Sequence, residues 1–185
     1  FSKTTTEFIN KINNLNASHL AFGAKKITVR NDKKVNDILF VGSADMRRIY
    51  LLEQLTKFKL SVYGSKWARN KAVISSQLYS TISPYAIWGN ELYQQLFSSK
   101  IILNITRSTF YAVETGINLR IFETLAAQGF LLTDYSPELA DLFKIGSEIE
   151  SYSSSNELVD KVNYYLKNED KRNKIAQQGH CLYLE

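Results

Sequence analysis

Apolar residues recur along the chain in two rhythms, and the rhythms alternate. Residues 6–15 place Phe8, Ile9, Ile12 and Leu15 at helical spacing, which predicts a short amphipathic helix. A polar connector follows, broken by His19-Leu20-Ala21-Phe22-Gly23 and by Asn31-Asp32-Lys33-Lys34. The run Asp37-Ile38-Leu39-Phe40-Val41 then reads as the first strand and ends in Gly42-Ser43. Residues 45–57 predict a helix with Met46, Ile49, Leu52 and Leu55 inward, Tyr50 beside them and Asp45 as its cap. Leu60 to Tyr63 reads as a strand ending at Gly64, and Gly89 to Ser98 as a helix burying Leu92, Leu96 and Phe97.

The alternation carries on through Ile101 to Ile105 as a buried strand and Leu119 to Gln128 as a helix closed by Gly129. Phe130 to Thr133 reads as a strand, Pro137 to Phe143 as a helix with proline in its first turn, and Glu148 to Tyr152 as a short strand. Two helices, 155–167 and 169–178, end the pattern, the first with Leu158, Val162, Tyr165 and Leu166 on one side. Short apolar strands alternating with helices make an α/β fold, a parallel sheet with helices on both faces. In such sheets ligands sit beyond the carboxyl ends of the strands, where strand order reverses. The loops at Gly42-Ser43, at Gly64 and from Asn104 to Gly116 all lie on that edge.

Composition narrows the class. The 185 residues fit one domain of ordinary size, and 44% hydrophobic with 12% aromatic residues supports a packed core. The formal charge of +5 fits an anionic ligand, nucleic acid or peripheral association with an anionic membrane surface, without choosing among them. No apolar run reaches the roughly 20 residues a membrane span needs, and residues 1–20 do not read as a signal peptide. Cys181, the single cysteine, leaves no internal disulfide and points to a reducing compartment, the cytoplasm. A chain opening at Phe1 and ending just after Leu182-Tyr183-Leu184 reads as a piece of a longer protein.

The richest stretch chemically is Gly116 to Gly129, a glycine-containing loop feeding a helix. A helix start offers unpaired N–H groups and partial positive charge, which suit a phosphate. Arg120 adds a charged donor fork, and Glu123 could accept from ribose hydroxyls; at i and i+3 the two could equally be a surface ion pair. Gly42 and Ser43 allow close backbone approach to a ligand, or simply make a tight turn with a helix cap. Lys66 could neutralise a phosphate and Trp67 flank a base or sugar; alternatively they form a solvated basic loop with a tryptophan packed on the sheet edge. Asn104, near the end of the most apolar strand, is expected to order a neighbouring loop. The following loop carries Arg107, Tyr111 and Glu114, with Tyr111 either exposed or lining the pocket. His19 and His180 have no cluster of ligands around them, so no metal site is expected. Dinucleotide, P-loop and Gly-x-Ser-x-Gly fingerprints are absent, and no residue stands out as a catalytic base.

Taken in order, the segments Asp37 to Gly42, Lys100 to Asn104, Gly116-x-Asn118-x-Arg120-x-Phe122-Glu123, Glu157-Leu158 before Tyr164-Tyr165-Leu166, and Arg172-x-x-x-Ile175-Ala176-x-x-Gly179-His180 resemble the CgeB-like glycosyltransferases. The resemblance implies the Rossmann-like, donor-binding C-terminal half of a GT-B glycosyltransferase over residues 35–185. Residues 1–34 would be a helix and linker from a preceding domain, the N-terminal GT-B domain of the same polypeptide. It implies Glu123 on the donor ribose, Gly116, Asn118 and Arg120 at the diphosphate, and Gly42 and Ser43 facing the phosphates. The donor would be a nucleotide diphosphate sugar acting as substrate, with no cofactor, no bound metal and an acceptor of unknown class. Related enzymes carry a glutamate where this chain has Thr115, and Glu114 stands one place off. The other readings of the residues are a non-catalytic nucleotide- or partner-binding module and a basic domain for nucleic acid; scattered basic residues speak against the last.

Overall fold

The computed structural model describes residues 3–13, 15–20, 22–112 and 117–185. A helix α1 (Lys3–Asn13) and an extended arm lead to β1 (Asn36–Val41), α2 (Met46–Glu53) and β2 (Leu60–Tyr63). A 3-10 helix (Ala68–Val73), α3 (Ser76–Tyr79) and α4 (Gly89–Phe97) precede β3 (Ser99–Asn104). Then come α5 (Ser108–Tyr111), α6 (Leu119–Ala126), β4 (Leu131–Asp134), α7 (Pro137–Leu142), β5 (Glu150–Tyr152), α8 (Ser155–Lys167) and α9 (Glu169–Leu184). The strands form one five-stranded sheet, order β2-β1-β3-β4-β5, with every pairing parallel.

Because side chains alternate across a strand, each strand feeds two layers. Ile38, Phe40, Ile101, Leu103 and Leu132 face one side, against Ile49 and Leu52 of α2 and Leu158, Val162 and Tyr165 of α8. On the other side Leu39 and Ile102 meet Leu92, Leu96 and Phe97 of α4. Leu131, in register with Ile102, continues that side toward Ile121 and Leu125 of α6 and Leu139 of α7. Both faces are therefore covered, which is why the strands read as near-continuous apolar runs.

Several expectations need correcting. Helix α1 forms, but Phe8 and Ile12 are 63% and 61% exposed, so its apolar stripe points away from the described core, while Thr6 is buried. Met46 is exposed; Leu51 takes the inward place instead, and α2 stops at Glu53 although Leu55 remains buried. The left-handed residue ending α6 is Gln128 (φ 52°), not Gly129. The Gly129 N–H returns to the Thr124 carbonyl (2.9 Å) and the Gln128 N–H to Leu125 (3.0 Å), a Schellman closure. Helix α9 runs to Leu184, well past residue 178, with Gly179 lying where a Cβ would stand 2.2 Å from the Glu148 carbonyl oxygen.

One glycine shapes the ligand edge. Gly64 (φ +147°) packs so closely that a Cβ there would sit 2.0 Å from the Gly42 carbonyl oxygen. Gly64→Ala should therefore lose roughly 3 kcal/mol or more of stability in urea unfolding. Gly23→Ala, with nothing within 4 Å of the added carbon, should stay within about 0.5 kcal/mol of the parent.

Candidate functional site

The chain leaves β1 for β2 on one side, while β3 lies on the other. The loops after β1 and β3 therefore part, and between them opens a cavity of about 720 Å³. Gly42 and Ser43 form its β1 wall, with Arg48 of α2 beside them. Thr106, Arg107 and Phe110 enter from the β3 side, Asn118, Arg120 and Glu123 from the start of α6, and Glu138 from α7. Trp88 and Leu92 add apolar surface, and Thr5, His19 and Phe22 of the N-terminal segment also line the cavity.

Two guanidinium groups converge on one serine. Arg48 donates through Nη1 to the Ser43 carbonyl and through Nε to the Ile105 carbonyl, both at 2.9 Å. Arg107 Nη2 donates to Ser43 Oγ at 2.9 Å. Burial lowers the Arg48 pKa from its ordinary value, and the charge of Arg107 lowers it further against the pull of Asp45. An arginine stays charged through such a shift, so the wall holds crowded positive charge that an anion would relieve.

Helix α6 is anchored at its start by a chain of amides. The Asn118 side chain caps it by accepting from the Arg120 N–H (3.0 Å), and donates its own amide to Asn104 Oδ1 (3.1 Å). Asn104 in turn donates to Thr133 Oγ1 (2.8 Å), so this buried strand amide does order the loop and helix start beyond it. Arg120 and Glu123 form an ion pair, Nη1 to Oε2 at 2.6 Å, with side chains only 16% and 15% exposed. Burial raises the Glu123 pKa and lowers that of Arg120, each opposed by the partner's charge. Among the described residues Arg120 Nε is buried with no hydrogen-bond partner. The surface-pair alternative is thus half right: the two do pair, but mostly buried and on the cavity wall. Gly116, like Glu114 and Thr115, lies outside the described residues.

Lys66 and Trp67 do not line the cavity. Trp67 is 3% exposed, stands edge-on to Phe40 (centroids 6.1 Å apart, 87° between planes) and donates its indole N–H to the Gly42 carbonyl at 3.0 Å. It props the β1 turn from behind, as the packed-tryptophan alternative had it. Lys66 is exposed and left-handed (φ 68°), its carbonyl accepting from the Asn70 side chain. Tyr111 lies off the wall too, its ring 3.7 Å under the Arg47 guanidinium. Sequence reasoning missed Arg48, Trp88 and Glu138. The signal for Arg48 was there: two basic residues, two and three places after the Asp45 cap, in the first turn of the helix that follows the first strand.

Behind the wall Asp134, at the carboxyl end of β4 and 5% exposed, receives both terminal nitrogens of Arg47 (3.1 and 2.6 Å) and the Thr106 N–H. Arg47 also donates to the Thr106 carbonyl at 3.1 Å. Asp45 ties the same region from the α2 side, accepting from the N–H groups of Arg48 (3.0 Å) and Ser108 (3.1 Å). Among the described residues no group of three or more His, Cys, Asp and Glu could hold a metal ion. No helix described is long and apolar enough to cross a membrane.

Burial pushes the Asp45 carboxyl up, but its backbone N–H bonds and the Arg48 charge outweigh that and hold it below the usual range. A depressed folded pKa gives stability that is present above the unfolded value, near pH 4, and lost as pH falls through the folded value. Asp45→Asn, which keeps one cap acceptor but loses the charge and the second acceptor oxygen, should cost about 0.5–1 kcal/mol at pH 7. The gap should shrink as pH drops from 5 to 3, read from urea midpoints at each pH.

The family described as glycosyl transferase-like matches residues 47–185. No curated protein matches the chain. Among solved structures, a variant of S. aureus TarM in complex with fondaparinux, alpha-GlcNAc-glycerol and UDP superposes with TM-score 0.71 at 15% identity, over 98% of this chain and 39% of TarM. The C-terminal domain of LpcC, a glycosyl transferase group 1 family protein from Francisella tularensis, gives TM-score 0.60 at 13% identity, over 81% of this chain and 85% of that domain. Anabaena HepE in complex with UDP and glucose gives 0.55 at 11% identity, over 80% of this chain and 44% of its own. The chain thus spans about two-fifths of the TarM chain it resembles. At these identities the neighbours establish a shared Rossmann-like fold, that of the C-terminal domains of GT-B glycosyltransferases. The family match establishes more: this chain belongs to the glycosyl transferase-like family.

Proposed function

We propose that this chain is the donor-binding domain of a GT-B glycosyltransferase of the CgeB-like kind, which moves a sugar from a nucleotide diphosphate sugar to an acceptor hydroxyl. The observation that carries the reading is the convergence of Arg48 and Arg107 on Ser43, beside Arg120, in the crevice where strand order reverses. In the transfer, the bond from the anomeric carbon to the diphosphate oxygen breaks and its electron pair leaves with the diphosphate. The acceptor oxygen forms the new bond and gives up its proton. The charge that grows on the leaving diphosphate is the quantity to stabilise, and preset guanidinium donors do this without a metal ion. Glu123 at the start of α6 is the ribose contact in this reading, with Trp88 and Leu92 as the apolar wall on the nucleoside side. Residues 1–34 are then the link to an N-terminal GT-B domain that presents the acceptor. TarM and HepE, both solved with UDP, support the choice of uridine diphosphate as first probe.

The parts of the ligand can be tested separately by calorimetry. Arg107→Ala should weaken both UDP and inorganic pyrophosphate about tenfold or more, since it removes a charged hydrogen bond. Glu123→Gln should weaken UDP about tenfold without weakening pyrophosphate, since it removes an acceptor and frees the Arg120 charge. A well-folded parent chain that binds none of UDP, GDP and dTDP at millimolar concentration would overturn the donor-site reading.

A further inference from the structure

We infer that the flank of the domain beside β2 docks on an anionic membrane surface, a role independent of the donor-site reading. Charge along the chain is uneven. Residues 54–90 carry five Lys and Arg and no Asp or Glu, whereas residues 91–185 carry nine Lys and Arg against 13 Asp and Glu. All five cations of the first stretch, Lys57, Lys59, Lys66, Arg69 and Lys71, are exposed.

The fold gathers that stretch on one side. Strand β2 is an edge of the sheet, and the 3-10 helix Ala68–Val73 and α3 follow it. Glu53, the last residue of α2, accepts from both the N–H and the hydroxyl of Ser75 at 2.7 Å, which pins the junction of the 3-10 helix and α3 to the end of α2. Tyr50 shares a helix face with Glu53 at i and i+3. Lys71 Nζ stands 5.1 Å from the centre of the Tyr79 ring, so the 3-10 helix also touches α3. Around this clasp Tyr50, Val73 and Tyr79 are exposed, the first two at 57% and 52%.

The chemistry of the partner follows. A flank with cations and no carboxylate beyond Glu53 suits an anionic surface. Lys57 and Lys59 precede β2, while Lys66, Arg69 and Lys71 follow it. About 13 Å of strand lies between the two groups, too far for one small anion, so the partner carries charge over an area. The sheet edge itself is closed at its middle: the Val62 N–H donates to the Thr81 carbonyl (3.0 Å) and the Ser83 N–H to the Val62 carbonyl (2.8 Å). An added strand is thereby excluded at that point. A bilayer and a nucleic acid remain, and the apolar side chains decide between them. Val73 offers no ring on which a base could stack, but it gains by leaving water at the boundary of the acyl chains. Tyrosines suit the headgroup level, and Lys and Arg suit anionic headgroups.

A merely solvated basic face is the competing account, and it predicts no attachment to vesicles. Cosedimentation of the full chain separates the two, with vesicles of phosphatidylcholine alone and of an equal mixture with phosphatidylglycerol. The mixed vesicles should bind about tenfold or more tightly than the neutral ones, and the preference should collapse in about 0.5 M sodium chloride. Arg69→Glu with Lys71→Glu should weaken binding to mixed vesicles about tenfold or more. Val73→Ser should weaken it about threefold. Lys167→Glu with Lys174→Glu makes the same change in net charge at exposed positions of α8 and α9, and should stay within about twofold of the parent. Lys57→Glu with Lys59→Glu replaces the first pair should that variant fail to fold. No preference for mixed vesicles, or equal loss in both charge-reversed pairs, overturns the assignment. So does a random single-stranded oligonucleotide that binds through Arg69 and Lys71 while vesicles do not bind.

Discussion

The buried pair of Asp134 and Arg47 is the constraint on which the ligand edge depends. A charge taken out of water is costly unless its partner and its remaining hydrogen bonds are in place. Here they are: Asp134 accepts from both ends of the guanidinium and from the Thr106 N–H, and Arg47 returns a bond to the Thr106 carbonyl. Those contacts join α2, the segment after β3 and the end of β4, three pieces far apart in sequence. The loop after β3 cannot drift without leaving an unpaired charge inside. Arg107, one residue beyond Thr106, inherits that fixed position, and its reach to Ser43 follows from it.

The same logic explains why the arginines of the wall are useful before any ligand arrives. Arg48 is held by two backbone carbonyls and Arg107 by a serine hydroxyl, so neither must be ordered at the moment of binding. Side-chain ordering costs about 0.5–1.5 kcal/mol for each long side chain on association. Neutral acceptors hold these groups in place without cancelling their charge, whereas Arg47 is neutralised by Asp134 and turned toward structure. Adjacent arginines on one helix thus do opposite jobs, according to what faces them.

Much of this was legible along the chain, and the gaps have physical causes. Strands buried on both faces must be apolar throughout, so β1 and β3 stood out; Asp45 as cap and Asn104 as organiser followed from the needs of helix ends and buried amides. Helices α3 and α5 have four residues each, too few for a period to show. Spacing finds an apolar stripe but not what covers it, so α1 was expected correctly and its exposure was not. Trp67 shows the limit from the other side. A tryptophan three residues past a strand-end glycine suits a ligand or a strut equally well, and only the Gly42 carbonyl within reach of its indole decides it. Arg48 was hidden by a helical pattern that drew attention to Met46 and Ile49, its apolar neighbours.

Helix α6 carries the buried Arg120–Glu123 pair, and it is gripped at both ends. At its start Asn118 is hydrogen-bonded through Asn104 to Thr133 in the sheet. Near its end His180 Nδ1 lies 2.8 Å from the Leu125 carbonyl, and the absent side chain of Gly179 lets α9 settle onto Leu125 itself. The next turn of α9 puts the Tyr183 hydroxyl 2.7 Å from the Ala24 carbonyl in the arm, two residues from Phe22 on the cavity wall. One helix therefore touches both α6, through Leu125, and the arm that carries Phe22. The matched family segment begins at residue 47, yet residues that precede it, from Thr5 to Ser43, also line the cavity.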